Sequence, residues 1–412
     1  MRRKTLLAAA ILSMSFLLLQ CSHTTEPEVE IARELTPAEK SLVQSSGDFG
    51  LKFFRQIVST EKDQNIFVSP LSISMALGMT LNGAAGTTQS AMEQTLELSG
   101  LSQGEINQSY RSLIDLLTGL DRNVIFEIAN SIWYRQEMTF EQAFIELNQK
   151  YFDAVVRAMD FGDAEGAAHI INAWVNEKTH GKIDKIVEAG DINWGTVMFL
   201  INAIYFKGSW QYQFDPANTF DQGFALANGS TKAVPMMHLS GALRYAENDL
   251  FQSVDLLYGS GKYSMTVFLP KSGTDIDALA QQMNASNWQN WLAAFEEVDV
   301  DLALPKFTLK YELELSKALT ALGMGIAFDA GNADFTGMHK DGGLYIGKVK
   351  HKTFLEINEE GTEAAAVTSV EIERTSVPVN IQMQINRSFL FAIRDSHSGT
   401  ILFIGKIIDP GA

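Results

Sequence analysis

Cysteine is all but missing from this 412-residue chain: Cys21 is its single thiol, so no internal disulfide can form. No thiol nucleophile lies beyond position 21, and the usual catalytic signatures are missing too. There is no Gly-x-Ser-x-Gly elbow, no His-Glu-x-x-His and no phosphate-binding loop. The seven histidines (His23, His169, His180, His238, His339, His351 and His397) show no metal-ligand spacing, and Gly323 and Gly325 form only an isolated Gly-x-Gly. Neither catalysis nor a metal or cofactor is expected. Bases are outnumbered: 32 Lys and Arg against 49 Asp and Glu leave a formal charge of −17. Phosphate binding needs clustered cations, so nucleic acid is excluded as a partner, and the surplus acid reads first as solubility. Linkers are lacking as well. No Pro-, Gly- or Ser-rich run, repeat or low-complexity tract divides residues 45–410, so one large domain is expected although the length would allow two or three.

What is present begins with a targeting pattern. Arg2, Arg3 and Lys4 precede an apolar run over 6–19, too short to span a bilayer. The run Leu18, Leu19, Gln20, Cys21 resembles a bacterial lipobox, with Gln20 where a small residue is usual. The resemblance implies a lipoprotein signal peptide over 1–20 and a lipid on Cys21. An ordinary signal peptide is the alternative. Residues 21–38 read as a flexible acidic tether and 39–412 as the folded part. Export and a lipid anchor on a bacterial outer membrane or cell surface follow, with multiple acyl chains needed for firm attachment.

Helical spacing covers 37–60. Ser69 followed by Pro70 reads as an N-cap and first helical residue, and the apolar residues after them run almost all round a buried helix. Helices are also expected over 91–96, 106–120, 140–158, 167–178, 276–295 and 312–322. Strands are expected over 124–134, 253–258, 263–268 and 298–304. Residues 197–206 read as a central strand buried on both faces, and 383–393 with 401–407 as a hairpin. The mixture is α+β.

The most informative stretch is 359–376, EEGTEAAAVTSVEIERTS. At a period of two, Thr362, Ala364, Ala366, Thr368, Val370 and Ile372 share one face, while Glu363, Ser369, Glu371 and Glu373 share the other with Ala365 and Val367. Yet its first half is rich in helix formers, and Gly361 supplies a loose joint. A segment able to be loop, helix or strand precedes an exposed-looking Arg374, Thr375, Ser376 and then Pro378.

These residues resemble the hinge and reactive-centre loop of the serpins, inhibitors that trap proteases by inserting a loop. Further motifs fit in order: NIFVSPLSIS at 65–74, LINAIYFKGSW at 200–210, VPMM at 234–237, LP at 269–270, LPKF at 304–307, DFTGM at 334–338 and MQINRSFLFAI at 383–393. The resemblance implies one large domain with three mostly antiparallel sheets, eight or nine helices and an exposed loop at about 359–380. It implies a hinge made of Glu359, Glu360, Gly361, Thr362, Glu363, Ala364, Ala365, Ala366 and Val367. By the family's usual spacing the bait bond is Thr375–Ser376, suited to elastase-like enzymes. One residue earlier, Arg374–Thr375 suits a trypsin-like pocket, and both remain open. Ser69, Ser72, Asn202 and His351 resemble the shutter that holds the central sheet closed, while Trp210 and a turn at Lys207 and Gly208 resemble the breach where insertion starts. The expected partners are serine proteases held as covalent acyl-enzymes by a monomer. A non-inhibitory member, or an inhibitor of papain-like cysteine proteases, is the alternative.

Overall fold

A reciprocal cap begins the fold. In the computed structural model, which describes residues 33–362 and 380–411, the Thr36 hydroxyl accepts from the Glu39 amide and the Glu39 carboxylate accepts from the Thr36 amide. This opens α1 (Pro37–Thr60). A short strand, β1 (Ile66–Val68), leads into α2 (Pro70–Leu81), where the Ser69 hydroxyl accepts from the Ser72 amide, so the expected cap forms. Almost all of α2 is buried, as its apolar circumference requires. Next come α3 (Gly86–Thr95), α4 (Gln103–Gly119) and β2 (Val124–Arg135).

The helix expected over 140–158 is shorter, α5 (Gln142–Phe152). Asp153 turns left-handed at φ 49°, and the β-branched Val155 and Val156 open β3 (Val155–Met159) instead. Helix α6 (Ala164–Lys178) precedes β4 (Met198–Ser209), which contains Lys207 and Gly208; these are strand residues rather than a turn. Strands β5 (Phe220–Ala225), β6 (Thr231–Glu247), β7 (Phe251–Tyr258) and β8 (Tyr263–Pro270) follow.

The helix expected over 276–295 is two, α7 (Ile276–Gln281) and α8 (Ala285–Ala293), because the Asn284 side chain starts a fresh cap. After β9 (Glu296–Pro305), the expected helix over 312–322 yields its first residues to β10 (Phe307–Glu314), begins as α9 (Ser316–Leu319) and continues as a π-helical turn over Thr320–Met324. The chain ends with β11 (Lys350–Ile357), β12 (Gly361–Thr362), β13 (Ile381–Gln384), β14 (Phe389–Asp395) and β15 (Ile401–Ile407). The strand expected over 383–393 is thus split: β13 pairs parallel with β9, while β14 sits between β8 and β15.

Two ladders result among the described residues. One runs β10-β11-β12-β4-β2-β3, the other β1-β15-β14-β8-β7-β6-β9-β13 with β5 on β6. The three expected sheets are recovered because β6 serves twice. Its first part pairs with β5 and β9, and its last residues pair with β7. Pairing is antiparallel except for β2 with β3 and β13 with β9. Helix α2 packs on β4 of one ladder and β15 of the other, within the main core. On the opposite face of β4, α6 builds a second apolar cluster from Trp133, Ile171, Trp174, Ile201 and Ala203. Both faces of β4 are thus covered and none of its residues is fully exposed, as expected of a central strand; over 198–207 its edge away from β2 has no strand partner among the described residues. That edge, facing β11, is the site.

Candidate functional site

Two residues set the geometry of the seam between β4 and β11. Gly361 faces Ser209, and Thr362 faces Gly208 on β4 and Ile357 on β11, antiparallel on both sides. Beyond Thr362 no ladder joins β4 directly to β11 among the described residues. A cavity of about 20 Å³ lies there, room for one water, between Ile204 and Phe206 on one side and Phe354 and Leu355 on the other.

Glycine is required at 361 on two grounds. Its φ of +148° is a region that L side chains rarely adopt, and an added Cβ would sit 2.1 Å from the Gly208 carbonyl oxygen. The Asn358 carbonyl and side-chain oxygen both accept from the Gly361 amide at 3.2 Å, and the Gly361 carbonyl accepts from Asn358 N–H at 3.0 Å. Thr362 turns inward, and its hydroxyl lies 2.6 Å from the Tyr258 hydroxyl. Burial pushes the Tyr258 phenol far up, so it stays a neutral partner.

Trp210 stacks on Tyr258 with ring centroids 4.3 Å apart and donates its indole N–H to the Asn358 carbonyl at 2.9 Å. The Trp210 and Phe214 amides donate to the carbonyls of Glu360 and Glu359. Burial would raise the Glu359 carboxyl, but hydrogen bonds to it, that of Lys306 at 2.8 Å foremost, together hold the group below its usual range. Residues 358–362 are therefore tied to β4, to Tyr258 and to Lys306.

Halfway down the seam lies a second polar group. The Ser69 amide donates to His351 Nε2 at 3.0 Å, and the Ser69 hydroxyl donates to the Leu402 carbonyl at 2.7 Å while accepting from Ser72 N–H. Because Nε2 accepts, His351 is neutral; burial drives its pKa down to about 4. Asn202 does not join this cluster. Its side-chain N–H donates to Asn130 Oδ1 at 2.7 Å, Asn130 donates to the Phe152 carbonyl, and Asn202 Oδ1 is buried without a partner.

A family model described as serpin, serine protease inhibitor, matches residues 44–410. The chain belongs to the serpin family. Human serpin B11 is 34% identical over 390 residues, covering 90% of this chain and all of the relative, and human neuroserpin is 31% identical with 89% and 91% covered. Among solved structures, the thermophilic serpin tengpin in its native state aligns with TM-score 0.82 at 30% identity, covering 92% of this chain and 95% of that one. Human thyroxine-binding globulin complexed with its hormone aligns with TM-score 0.83 at 30% identity, covering 91% and 100%. Serpins as a family are protease inhibitors.

Of the residues singled out from the sequence, the serpin fold brings Glu359, Glu360, Gly361, Thr362 and Trp210 together at the root of the loop. It brings Ser69, Ser72 and His351 together behind the seam, and leaves Asn202 across it. Glu363, Ala364, Ala365, Ala366, Val367, Arg374, Thr375, Ser376 and Cys21 lie outside the described residues, as do the expected signal peptide and most of the tether. Among the described residues no His, Cys, Asp and Glu group could hold a metal. Sequence reasoning missed Tyr258, Asn358, Lys306 and Asn130. Lys306 stands inside the LPKF motif, so charge pairing with Glu359 was its one available signal; the others become functional only through contacts far apart in the chain.

Proposed function

We propose that this serpin is a suicide-substrate inhibitor of serine proteases that inserts its cleaved loop between β4 and β11. The observation that carries the reading is Thr362, already seated as the first rung of a strand between them. In the proposed cycle the protease serine attacks the carbonyl of Thr375 or Arg374, and the amine of the following residue leaves with the proton. The acyl-enzyme ester remains. The freed arm then extends β12 and carries the enzyme along.

The register supports this economy of motion. Pairing is antiparallel on both sides, so each step forward from Thr362 is one step back from Gly208 on β4 and from Ile357 on β11. Continued, the same register sets Thr368 opposite both Asn202 and His351. A threonine hydroxyl there would satisfy the orphan Asn202 oxygen, worth about 1–3 kcal/mol. Since Thr362 points inward, Ala364, Ala366, Val370 and Ile372 would too, in keeping with their small or β-branched side chains. Burying Val370 and Ile372 would contribute roughly 1.5–3 kcal/mol each.

The targets proposed are elastase-like enzymes at Thr375–Ser376 and trypsin-like ones at Arg374–Thr375. The cell-surface anchor is proposed on Cys21, with 21–38 as tether. Among the described residues no helix is long and apolar enough to cross a membrane.

The test is incubation with trypsin and with elastase, denaturing electrophoresis, and N-terminal sequencing of the released C-terminal peptide. A covalent complex is expected, and Ala364→Arg should convert it to free protease and nicked chain. If Ala364→Arg still forms the complex, insertion is not the mechanism. If the wild type forms none with any serine protease, a non-inhibitory serpin or a cysteine-protease inhibitor replaces this reading.

A further inference from the structure

The connection from α6 to β4 crosses the front of the seam. At its start His180 lies 2.8 Å from the Glu127 carboxylate of β2 and stacks on Tyr205 of β4, ring centroids 4.2 Å apart. From there the chain runs along β11. The forward-facing residues of β11 alternate as Lys350, Lys352, Phe354 and Glu356, all half-buried, and every one of them engages this connection. Lys182 lies 3.8 Å from the Glu356 carboxylate and 4.9 Å from the Phe354 ring centre. Lys352 donates to the Lys185 carbonyl at 2.8 Å and sits 3.8 Å from Asp184. Lys350 binds Asp191, and Lys348 reaches the other oxygen of the same carboxylate at 2.8 Å. Beneath these pairs, Ile183, Ile186 and Val187 press into the α6 cluster.

The connection therefore spans from β2 and β4 on one side of the seam to β11 on the other. Thr179, Lys182 and Ile183 line the same cavity that Thr362 closes from above. We propose that residues 179–191 are an ionic strap whose release sets the rate at which a strand enters the seam, making insertion sensitive to ionic strength. This rests on the insertion reading above. A strand extending past Thr362 must pass beneath Lys182 and then along the row of β11 lysines. The pairs are weak one by one and partly exposed, so salt screens them, but they lie in sequence along the path. Asp191 is the strongest anchor. Burial would raise its carboxyl, and the two lysines with the Glu188 amide overturn that, holding it at about 2. Because all the pairs lie on the front of β11, they can re-form once the strand is in place. Their rupture is a barrier and not a permanent cost.

The experiment nicks the loop of the full chain with elastase and follows the rate at which a heat-resistant form appears, at low and at high salt. Wild type, Asp191→Asn and Lys352→Met are compared, with circular dichroism of the intact proteins as the folding control. At low salt each variant should insert about three- to tenfold faster, the scale of one or two partly exposed ion pairs. Salt should accelerate the wild type, and act less on each variant, which lacks one link of the strap. Wild-type rates that ignore salt, or variants matching the wild type at low salt, overturn the strap while leaving insertion intact. If no heat-resistant form appears in any protein, insertion itself fails and the strap with it. Should Asp191→Asn not fold, Lys352→Met and the wild-type salt titration decide alone.

Discussion

Gly361→Ala places one methyl group at the narrowest point of the loop root. The new Cβ would meet the Gly208 carbonyl oxygen at 2.1 Å, Ser209 Cα at 2.7 Å and the Gly208 carbonyl carbon at 3.0 Å. All three are backbone atoms of β4, which is held by β2 along its other edge, so none can step aside cheaply. The +148° φ adds strain of about 1–3 kcal/mol for any L side chain. The alternative is for β12 to leave the seam. That loses the two-way backbone bonding between Gly361 and Asn358 and the contact between Thr362 and Tyr258. At roughly 0.5–1.5 kcal/mol per hydrogen bond, three bonds come to about 2–4 kcal/mol. Either route costs a similar amount, so the intact variant should lose about 2–4 kcal/mol, read as a lowered urea midpoint at unchanged slope. Tryptophan fluorescence is a direct probe, since Trp210 stacks on Tyr258 beside the clash. A loss below about 0.5 kcal/mol, within the range of an ordinary surface change, would refute the claim that this glycine is sterically required.

Acid should loosen the seam through His351. Its folded pKa, about 4, lies below the ordinary 6.5, so the unfolded chain binds a proton that the folded one refuses. Stability from this group is complete above pH 6.5 and is lost as the pH falls toward 4, by roughly 3 kcal/mol in all. The difference between wild type and His351→Gln in urea titrations at pH 7, 5.5 and 4.5 isolates the effect; parallel curves would mean that His351 is not held neutral. At the bait, Arg374→Ala should abolish inhibition of trypsin-like enzymes and spare elastase-like ones. Equal loss of both in second-order inhibition rates would refute the idea of two bonds.

Much of the seam was legible because strands declare their faces. The alternation that begins at Thr362 is a property of the sequence, and the inward turn of Thr362 agrees with it. Ser69 and Pro70 announced α2 for an equally local reason, a cap and a residue with no amide to satisfy. Legibility failed where neighbours outvoted local pattern. The helical spacing over 140–158 gave way at Asp153 because Val155 to Met159 could pair with β2, and residues 312–314 joined β10 because β11 offered partners. Asn202 shows the limit most clearly. Its place on the central strand was evident, yet its partner is Asn130, across a β2–β4 pairing, and not His351.

By itself the sequence determined that this is a single-thiol, acidic α+β chain with the motifs of one family in order, because composition, caps and alternation are local and survive without a structure. Tertiary structure alone decided that Gly361 has no room for a methyl group, that Lys306 answers Glu359, and that the lysines of β11 hold the segment after α6 across the seam. Those facts are distances between residues tens to hundreds of positions apart, set by how strands pair and sheets pack, and periodicity along a chain carries no record of them.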